Sequence, residues 1–448
     1  MPQTTRDVGG PVLGRNIAVI GSGYVGLALS ASLALLGHRV ECTDRSPDRI
    51  AQLSAGVVPV VEDSLTELIG DMLGAGRLRF GTDNAHAAAR ADFVFLCLPT
   101  PADADGSADV SLVLAVAAEI GPHLRPGAIV VTKSTVPVGT ADQVRRALAR
   151  RDVYVAANPE FLAEGSAVRD CLFPDRIVIG AHSEGVARRV ADLFGPSGAP
   201  RIIMTDVTSA ELIKYASNAY LATRLAYVNS IAELCEATGA DVRCVLAGMG
   251  ADHRIGNAFL QPGPGWGGSC LPKDTQALVH TAGEFGCSLE LVEAAIASNA
   301  HHMQRIIGKV SAALGDLCGR RVALLGLTFK AGTSDLRNSP AMAIAEGLRA
   351  LGASVQAYDP TVHPGAMTGI ETHGSLVSAV RDAEALVIGT EWPEFAALDL
   401  AVLRAAMSGR VIVDARNILD PAAALRAGFT YTGIGIPVAR ELAAEMAT

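Results

Sequence analysis

The most constraining stretch of this chain is Gly21-Ser-Gly23-Tyr-Val-Gly26, which follows the apolar run Ile17-Ala-Val-Ile20 and leads into an Ala/Leu-rich segment ending at Leu36. A β-branched run, a glycine turn and an Ala/Leu segment read as strand, turn and helix. Each glycine has a task in a phosphate-binding turn: Gly21 makes the tight turn, Gly23 lets backbone approach a pyrophosphate, and Gly26 permits close packing of the helix. The first helical residues, Tyr24 and Val25, then lie at the positive end of the helix dipole, where an anion is stabilised. The next strand, Arg39-Val-Glu-Cys-Thr43, ends at Asp44, a carboxylate placed to accept hydrogen bonds from ribose hydroxyls. The spacing therefore predicts a dinucleotide site. Asp44 favours NAD, because it would repel the extra phosphate of NADP, although Arg45 and Arg49 work against that preference. Arg49 either pairs with the adenosine side or is a solvated helix charge. Residues 17–36 carry no charge and follow Arg6 and Arg15, so they mimic a membrane segment, but their internal glycines fit the strand-turn-helix reading better.

The alternation continues through Phe93-Val-Phe-Leu-Cys97, Ala128-Ile-Val-Val-Thr132, Val153-Tyr-Val-Ala156 and Ile177-Val-Ile179, the pattern of a doubly wound parallel sheet. It breaks near residue 206. Residues 208–238 contain no Gly or Pro, Thr208 and Glu211 are spaced as a capping box, and Gly239 supplies a stop. This predicts one helix roughly 45 Å long. Helical character extends to about Leu314, interrupted by the Gly/Pro-rich loop from Gln261 to Gly268. At Arg321 the strand pattern restarts, with Val322-Ala-Leu-Leu-Gly326, a helix opening at Ser339-Pro340, Ser354-Val-Gln-Ala-Tyr358 and further strands at Ala385–Ile388 and Val411–Val413. Two α/β domains joined by a helical middle suit a chain of 448 residues, too long for one core. The long helix could serve as a dimer spine. Residues 1–13 read as a loose tail.

Composition excludes several classes. Half the residues are apolar and 19% are charged, which is a globular balance. Aromatics make up 4% and the net charge is -9 without a Lys/Arg run, so neither stacking platforms nor a basic stripe for nucleic acid is available. The eight cysteines are scattered, with no CxxC pair, and read as reduced cytoplasmic thiols; no metal site is called for.

Chemistry concentrates in Gly263-Pro-Gly-Trp-Gly-Gly-Ser-Cys270-Leu-Pro-Lys-Asp274. A glycine-rich loop delivers Cys270 to a helix start, where Pro272 suits an early position and the helix dipole favours a thiolate. The alternative is a small buried hydrophobe, yet four glycines and Lys273 are poor core material. Lys214 and Asn218, four apart on the long helix, share a face and could stabilise an oxyanion. Lys214 sits among Leu212, Ile213, Tyr215 and Ala216, a costly setting for a cation without a partner or a task. Asn158-Pro-Glu160-Phe-Leu-Ala-Glu164-Gly offers two carboxylates for proton handling, with no basis here for choosing between them. Thr100 and Thr135 lie just past strand ends, the edge where open α/β sheets bind ligands.

Together these segments resemble the UDP-glucose/GDP-mannose dehydrogenase family. The likeness runs from Asn16 to about Asn417 and includes Ser134-Thr-Val-Pro137, Glu211-Leu-Ile-Lys-Tyr-Ala-Ser-Asn218, Phe329-Lys330 and Asp335-Leu-Arg337. The resemblance implies two Rossmann-like domains joined by a central helical one: residues 1–205 binding NAD, 206–314 dimerising and carrying catalytic groups, and 315–448 binding the nucleotide-sugar. It implies a four-electron oxidation of a sugar C6 alcohol to a carboxylate, with Cys270 holding first a thiohemiacetal and then a thioester. Lys214 and Asn218 would stabilise the oxyanion, Asp274 would assist proton transfer or water activation, and Glu160 or Glu164, with Thr135, would complete the catalytic set. Around NAD it places Glu164, Lys273 and Arg337 besides the residues above. Around the sugar nucleotide it places Phe161, Leu162, Arg254, Phe259, Leu260, Gly263, Phe329, Lys330 and Arg416. UDP-glucose is the leading substrate, with GDP-mannose and UDP-N-acetylmannosamine as alternatives. A two-electron hydroxyacid dehydrogenase of the 6-phosphogluconate type and a non-catalytic NAD-binding protein are the competing classes. A homodimer, cytoplasmic and without nucleic-acid or membrane partners, is the expected setting.

Overall fold

The computed structural model describes residues 14–195 and 201–437, so the tail read at residues 1–13 lies outside the described residues. Two compact units emerge: Met1–Ser217 with Gln276–Gly286, and Asn218–Thr275 with Cys287–Thr448.

The first unit is built on eight strands: β1 (Asn16–Ile20), β2 (Arg39–Thr43), β3 (Leu78–Gly81), β4 (Phe93–Leu96), β5 (Ile129–Thr132), β6 (Tyr154–Ala157), β7 (Arg176–Ala181) and β8 (Arg201–Thr205). Their order is β3-β2-β1-β4-β5-β6-β7-β8, so the chain reverses direction of travel beside β1, the switch point at which such sheets bind ligands. All pairs are parallel except β6 with β7. The central strands β4 and β5 are buried throughout, as near-continuous apolar runs covered on both faces must be. One face packs Val19, Phe95 and Val131 against Leu27 and Ile69; the other packs Ile20, Val94 and Val130 against Val113 and Val144.

The second unit contains β9 (Arg321–Leu325), β10 (Ser354–Tyr358), β11 (Glu371–Thr372), β12 (Ala385–Ile388), β13 (Val411–Asp414) and β14 (Thr430–Thr432), ordered β11-β10-β9-β12-β13-β14 and entirely parallel. Its core joins Val322, Leu324, Leu386 and Ile412 to Val228, Ala232, Ile306 and Val310 from the helical segments. Two Rossmann-like sheets with a helical middle are therefore present.

The long helix spans Val207–Thr238, 32 residues. The capping box expected at its start does not form. Asp206 caps it instead, accepting the Ser209 amide at 2.8 Å and the Ser209 hydroxyl at 2.6 Å. Glu211 turns away to the start of the helix Thr140–Leu148 and accepts the Gly139 and Ala141 amides at 2.7 and 2.8 Å. Those buried amides have no intrahelical acceptor, and a carboxylate satisfies two of them at once. Among the described residues, no helix is long and apolar enough to cross a membrane.

Candidate active site

In the first unit the glycine turn has the shape its sequence demands. Gly21 adopts φ +106°, and a Cβ there would lie 2.3 Å from the Cys97 carbonyl oxygen. A Cβ on Gly26 would fall 1.9 Å from the Gly21 oxygen, so neither position tolerates a side chain. A Cβ on Gly23 would meet nothing within 4 Å. That open side, beside the amides that begin the helix Tyr24–Leu35, is where a pyrophosphate fits. Asp44 closes β2 and reaches back over the turn, accepting the Ser22 amide at 3.1 Å and the Ser22 hydroxyl at 2.7 Å. Partial burial raises its carboxyl, but hydrogen bonds from Ser22 and Ser46 and the charge of Arg49 outweigh this and hold it below the usual value. Arg49 Nε is buried without a hydrogen-bond partner, a donor available to a ligand. These features fit a dinucleotide.

Thr100 and Thr135, both expected at the strand edge, meet: the Thr100 hydroxyl donates to the Thr135 carbonyl at 2.8 Å. Beside them, Lys133 is buried and donates to Asn158 Oδ1 at 3.1 Å. Lys214 has the partner its apolar setting required, since its Nζ lies 2.9 Å from Glu160 Oε1 with both side chains almost fully buried. Glu160 also accepts the Leu162 amide at 2.6 Å. Burial alone would raise the Glu160 carboxyl; the Lys214 charge and hydrogen bond, the Leu162 amide and Lys133 bring it below its ordinary value. Glu160, one of the two carboxylates left open by sequence, is thus joined to Lys214. Glu164 is half-buried a turn further along, and the Phe161 ring stacks under Arg176, 3.8 Å from the guanidinium carbon.

In the second unit Cys270 is exposed and immediately precedes the helix Leu271–Glu284. Its carbonyl accepts the Asp274 amide at 2.8 Å, closing the first turn, and its Sγ lies 3.6 Å from the Ser269 hydroxyl. Asp274 is buried, with one oxygen 2.6 Å from Asn218 Nδ2 and the other 2.6 Å from Lys273 Nζ. All eight cysteines carry free thiols.

The glycine loop before Cys270 is mostly buried, and its glycines are forced by close neighbours. A Cβ on Gly267 would lie 2.1 Å from the Asn338 carbonyl oxygen, and one on Gly268 would strike the Phe329 ring at 2.9 Å. Three residues that sequence reasoning did not single out hold this loop. Asn229 accepts the Gly263 amide at 3.0 Å, Asn299 brackets Trp266 with two 2.9 Å bonds, and His302 Nε2 lies 2.7 Å from the Gly263 carbonyl. Burial lowers the His302 pKa, so the neutral ring donates there. Buried polar side chains facing a glycine-rich segment would have been the signal, but their partners lie more than thirty positions away.

Among the expected nucleotide-sugar residues, Gly263, Phe329 and Arg416 come together: Arg416 donates to the Phe329 carbonyl at 2.9 Å and pairs with Glu391 at 2.9 Å. Lys330 Nζ lies 5.7 Å from the Phe329 ring centre. Leu260 is buried in the core of this unit, and Phe259 is exposed at φ +56°. Arg254 and Arg337 are exposed and form forked pairs with Asp252 and Asp335.

A glycine turn closed by an acidic strand end, at the switch point of a Rossmann-like sheet, defines a dinucleotide-binding protein. Comparison with known proteins gives the particular family. The chain matches the NAD binding domain of the UDP-glucose/GDP-mannose dehydrogenase family over residues 15–197, its central domain over 208–301 and its UDP binding domain over 323–421. It is 44% identical to a UDP-glucose 6-dehydrogenase of Rhizobium meliloti, covering 94% of this chain and 99% of that one. It superposes on a UDP-glucose dehydrogenase from Pyrobaculum islandicum with TM-score 0.89 at 34% identity, covering 96% and 100%. A UDP-D-ManNAc dehydrogenase from Pyrococcus horikoshii follows with TM-score 0.85 at 30% identity, covering 94% and 99%. The chain belongs to the UDP-glucose/GDP-mannose dehydrogenase family.

Proposed function

We propose that this protein oxidises the C6 alcohol of UDP-glucose to the carboxylate, consuming water and two NAD, with Cys270 as the covalent nucleophile. One observation carries the four-electron reading: an exposed cysteine stands at a helix start one turn from a buried aspartate that holds Asn218 and Lys273. UDP-glucose is favoured because the relatives at 37–44% identity across the chain are UDP-glucose 6-dehydrogenases.

NAD, when bound at the Gly21–Gly26 turn, supplies the acceptor for both hydrides. The residues of the chain do the rest. Lys214, its position set by Glu160, and Asn218, its amide set by Asp274, stabilise negative charge on the C6 oxygen. The Cys270 thiolate adds to the aldehyde carbon, forming a C–S bond, and the resulting oxygen anion takes a proton. After the second oxidation the carbonyl remains as a thioester. Water then adds, the C–S bond breaks, thiolate leaves and the carboxylate forms, with Asp274 assisting proton transfer from the water. Covalent capture retains the aldehyde between the two oxidations.

Residues 1–205 act as the NAD domain, 206–314 as the central domain and 315–448 as the nucleotide-sugar domain, with Phe329, Lys330 and Arg416 on the diphosphate side. A homodimer through the long helix is supported by Tyr220, Tyr227 and Leu234, large exposed side chains at seven-residue spacing. The free thiols support a cytoplasmic setting.

NADH yield per sugar, measured with UDP-glucose, GDP-mannose and UDP-N-acetylmannosamine, tests this reading. Two NADH from UDP-glucose are expected. A ratio of one removes the thioester route and favours the two-electron class; turnover confined to another sugar overturns the substrate.

A further inference from the structure

Two side chains outside the proposed chemistry tie the dinucleotide turn to the loop that bears Glu160. Tyr24 is the first residue of the helix that opens at the glycine turn, and its hydroxyl donates to the Ala163 carbonyl at 2.7 Å. Ala163 lies between Glu160 and Glu164. Glu62, in the connection between the helices Pro47–Ser54 and Leu65–Gly74, accepts the Gly165 amide at 2.8 Å and the Ala167 amide at 2.7 Å. The Tyr24 hydroxyl also lies against the Glu62 carboxylate; burial first and this carboxylate second raise its pKa far above the usual value, so it stays a donor.

Glu62 is buried, and none of the ion pairs among the described residues includes it. Burying a carboxylate is costly unless hydrogen bonds are made to it, and here the donors are the two loop amides, with the Tyr24 hydroxyl alongside. A neutral side chain would serve for packing alone. From the held loop the connection continues inward: Glu160 accepts the Leu162 amide at 2.6 Å and meets Lys214 at 2.9 Å. The span from Tyr24 to Lys214 is thus a chain of short hydrogen bonds and backbone links within one unit.

We propose that Tyr24 and Glu62 are positioning residues forming a latch, through which occupancy of the dinucleotide turn and alignment of Glu160 with Lys214 reinforce each other. The inference rests on the dehydrogenase reading for the identity of the ligand at the turn. Binding at one end that orders the shared loop must, by reciprocity, be strengthened by ligand at the other end.

Hydrogen exchange of peptides covering residues 160–170, with and without NADH at concentrations saturating each variant by fluorescence, tests the latch. In the native protein NADH should slow exchange about tenfold. In Tyr24→Phe, which removes only the hydroxyl, the slowing should fall below about twofold. Glu62→Gln should exchange faster at Gly165 and Ala167 even without NADH, and should lower kcat more than it raises KM for NAD. Equal slowing in Tyr24→Phe and the native protein overturns the latch, as does bound NADH that slows nothing. Absence of any NADH fluorescence change sinks the dehydrogenase reading and the latch with it.

Discussion

The turns that follow the first strand of each sheet are built alike and used differently. After β1, Gly21 takes φ +106° and Asp44, at the end of β2, accepts the amide and hydroxyl of Ser22. After β9, Gly326 takes φ +88° and Asp359, at the end of β10, accepts the amides of Leu327 and Thr328 at 2.8 and 3.1 Å and the Thr328 hydroxyl at 3.0 Å. The second carboxylate is then covered by Trp392, whose indole N–H lies 3.2 Å from it, leaving Asp359 2% exposed. Asp44 remains half-buried, and no glycine stands at the position that matches Gly23. The same turn is thus left open in one sheet, as the proposed dinucleotide site requires, and sealed as a structural knot in the other. Fold alone does not place a dinucleotide; an uncovered acid and an open backbone do.

Substitutions in the two turns should have different consequences. The largest effect is expected where both turns are purely structural. Gly26→Ala and Gly326→Ala, whose added Cβ atoms would sit 1.9 Å from the Gly21 oxygen and 2.4 Å from Thr390 Cβ, should each cost more than about 3 kcal/mol in chemical denaturation. Ionisation of Glu211 comes next. Burial, opposed only in part by the Gly139 and Ala141 amides, pushes its carboxyl up to about 7 from 4.5. The folded state therefore holds this proton more tightly than the unfolded chain does. That contribution is fully present below pH 4.5 and is lost as pH rises toward 7, about 3 kcal/mol in all. Glu211→Gln should flatten that part of the stability–pH curve, measured by denaturation at pH 4.5 and pH 8.

The acids themselves should separate binding from stability. Asp359→Ala strands the Leu327, Thr328 and Trp392 donors, so a loss of about 2–3 kcal/mol in stability is expected with NADH affinity unchanged. Asp44→Ala should show the reverse emphasis, with NADH Kd rising about tenfold and a smaller change in denaturation midpoint. Gly23→Ala sharpens the contrast further, because its Cβ meets no protein atom within 4 Å. It should weaken NADH binding while changing stability by less than about 1 kcal/mol. Equal stability losses for Asp44→Ala and Asp359→Ala would erase the distinction.

Local patterns were legible in the sequence. The glycine turn, Asp44 and the placement of Cys270 at a helix start each depend on residues within a few positions of one another, and so do the strands Phe93–Leu96 and Ala385–Ile388. Edge strands β3 and β8 went unread, since Leu78-Arg-Phe-Gly and Arg201-Ile-Ile-Met-Thr alternate weakly and gain their identity from neighbours. Long-range choices were illegible. Glu211 has the spacing of a capping box, yet amides some seventy positions earlier compete for it and win. Glu160 and Glu164 were indistinguishable until Lys214 paired with the first. Asn299, His302 and Glu62 carried no local mark, because each serves a backbone segment more than thirty residues away.

The proposed four-electron oxidation depends on covalent chemistry at Cys270. Mass spectrometry of protein quenched during turnover with UDP-glucose and NAD, followed by peptide mapping, should find a UDP-sugar acyl adduct on the peptide containing Cys270, absent from Cys270→Ser, which should also lose two-NADH turnover. Two NADH per sugar in the Cys270→Ser variant, or an adduct on another cysteine, would contradict it.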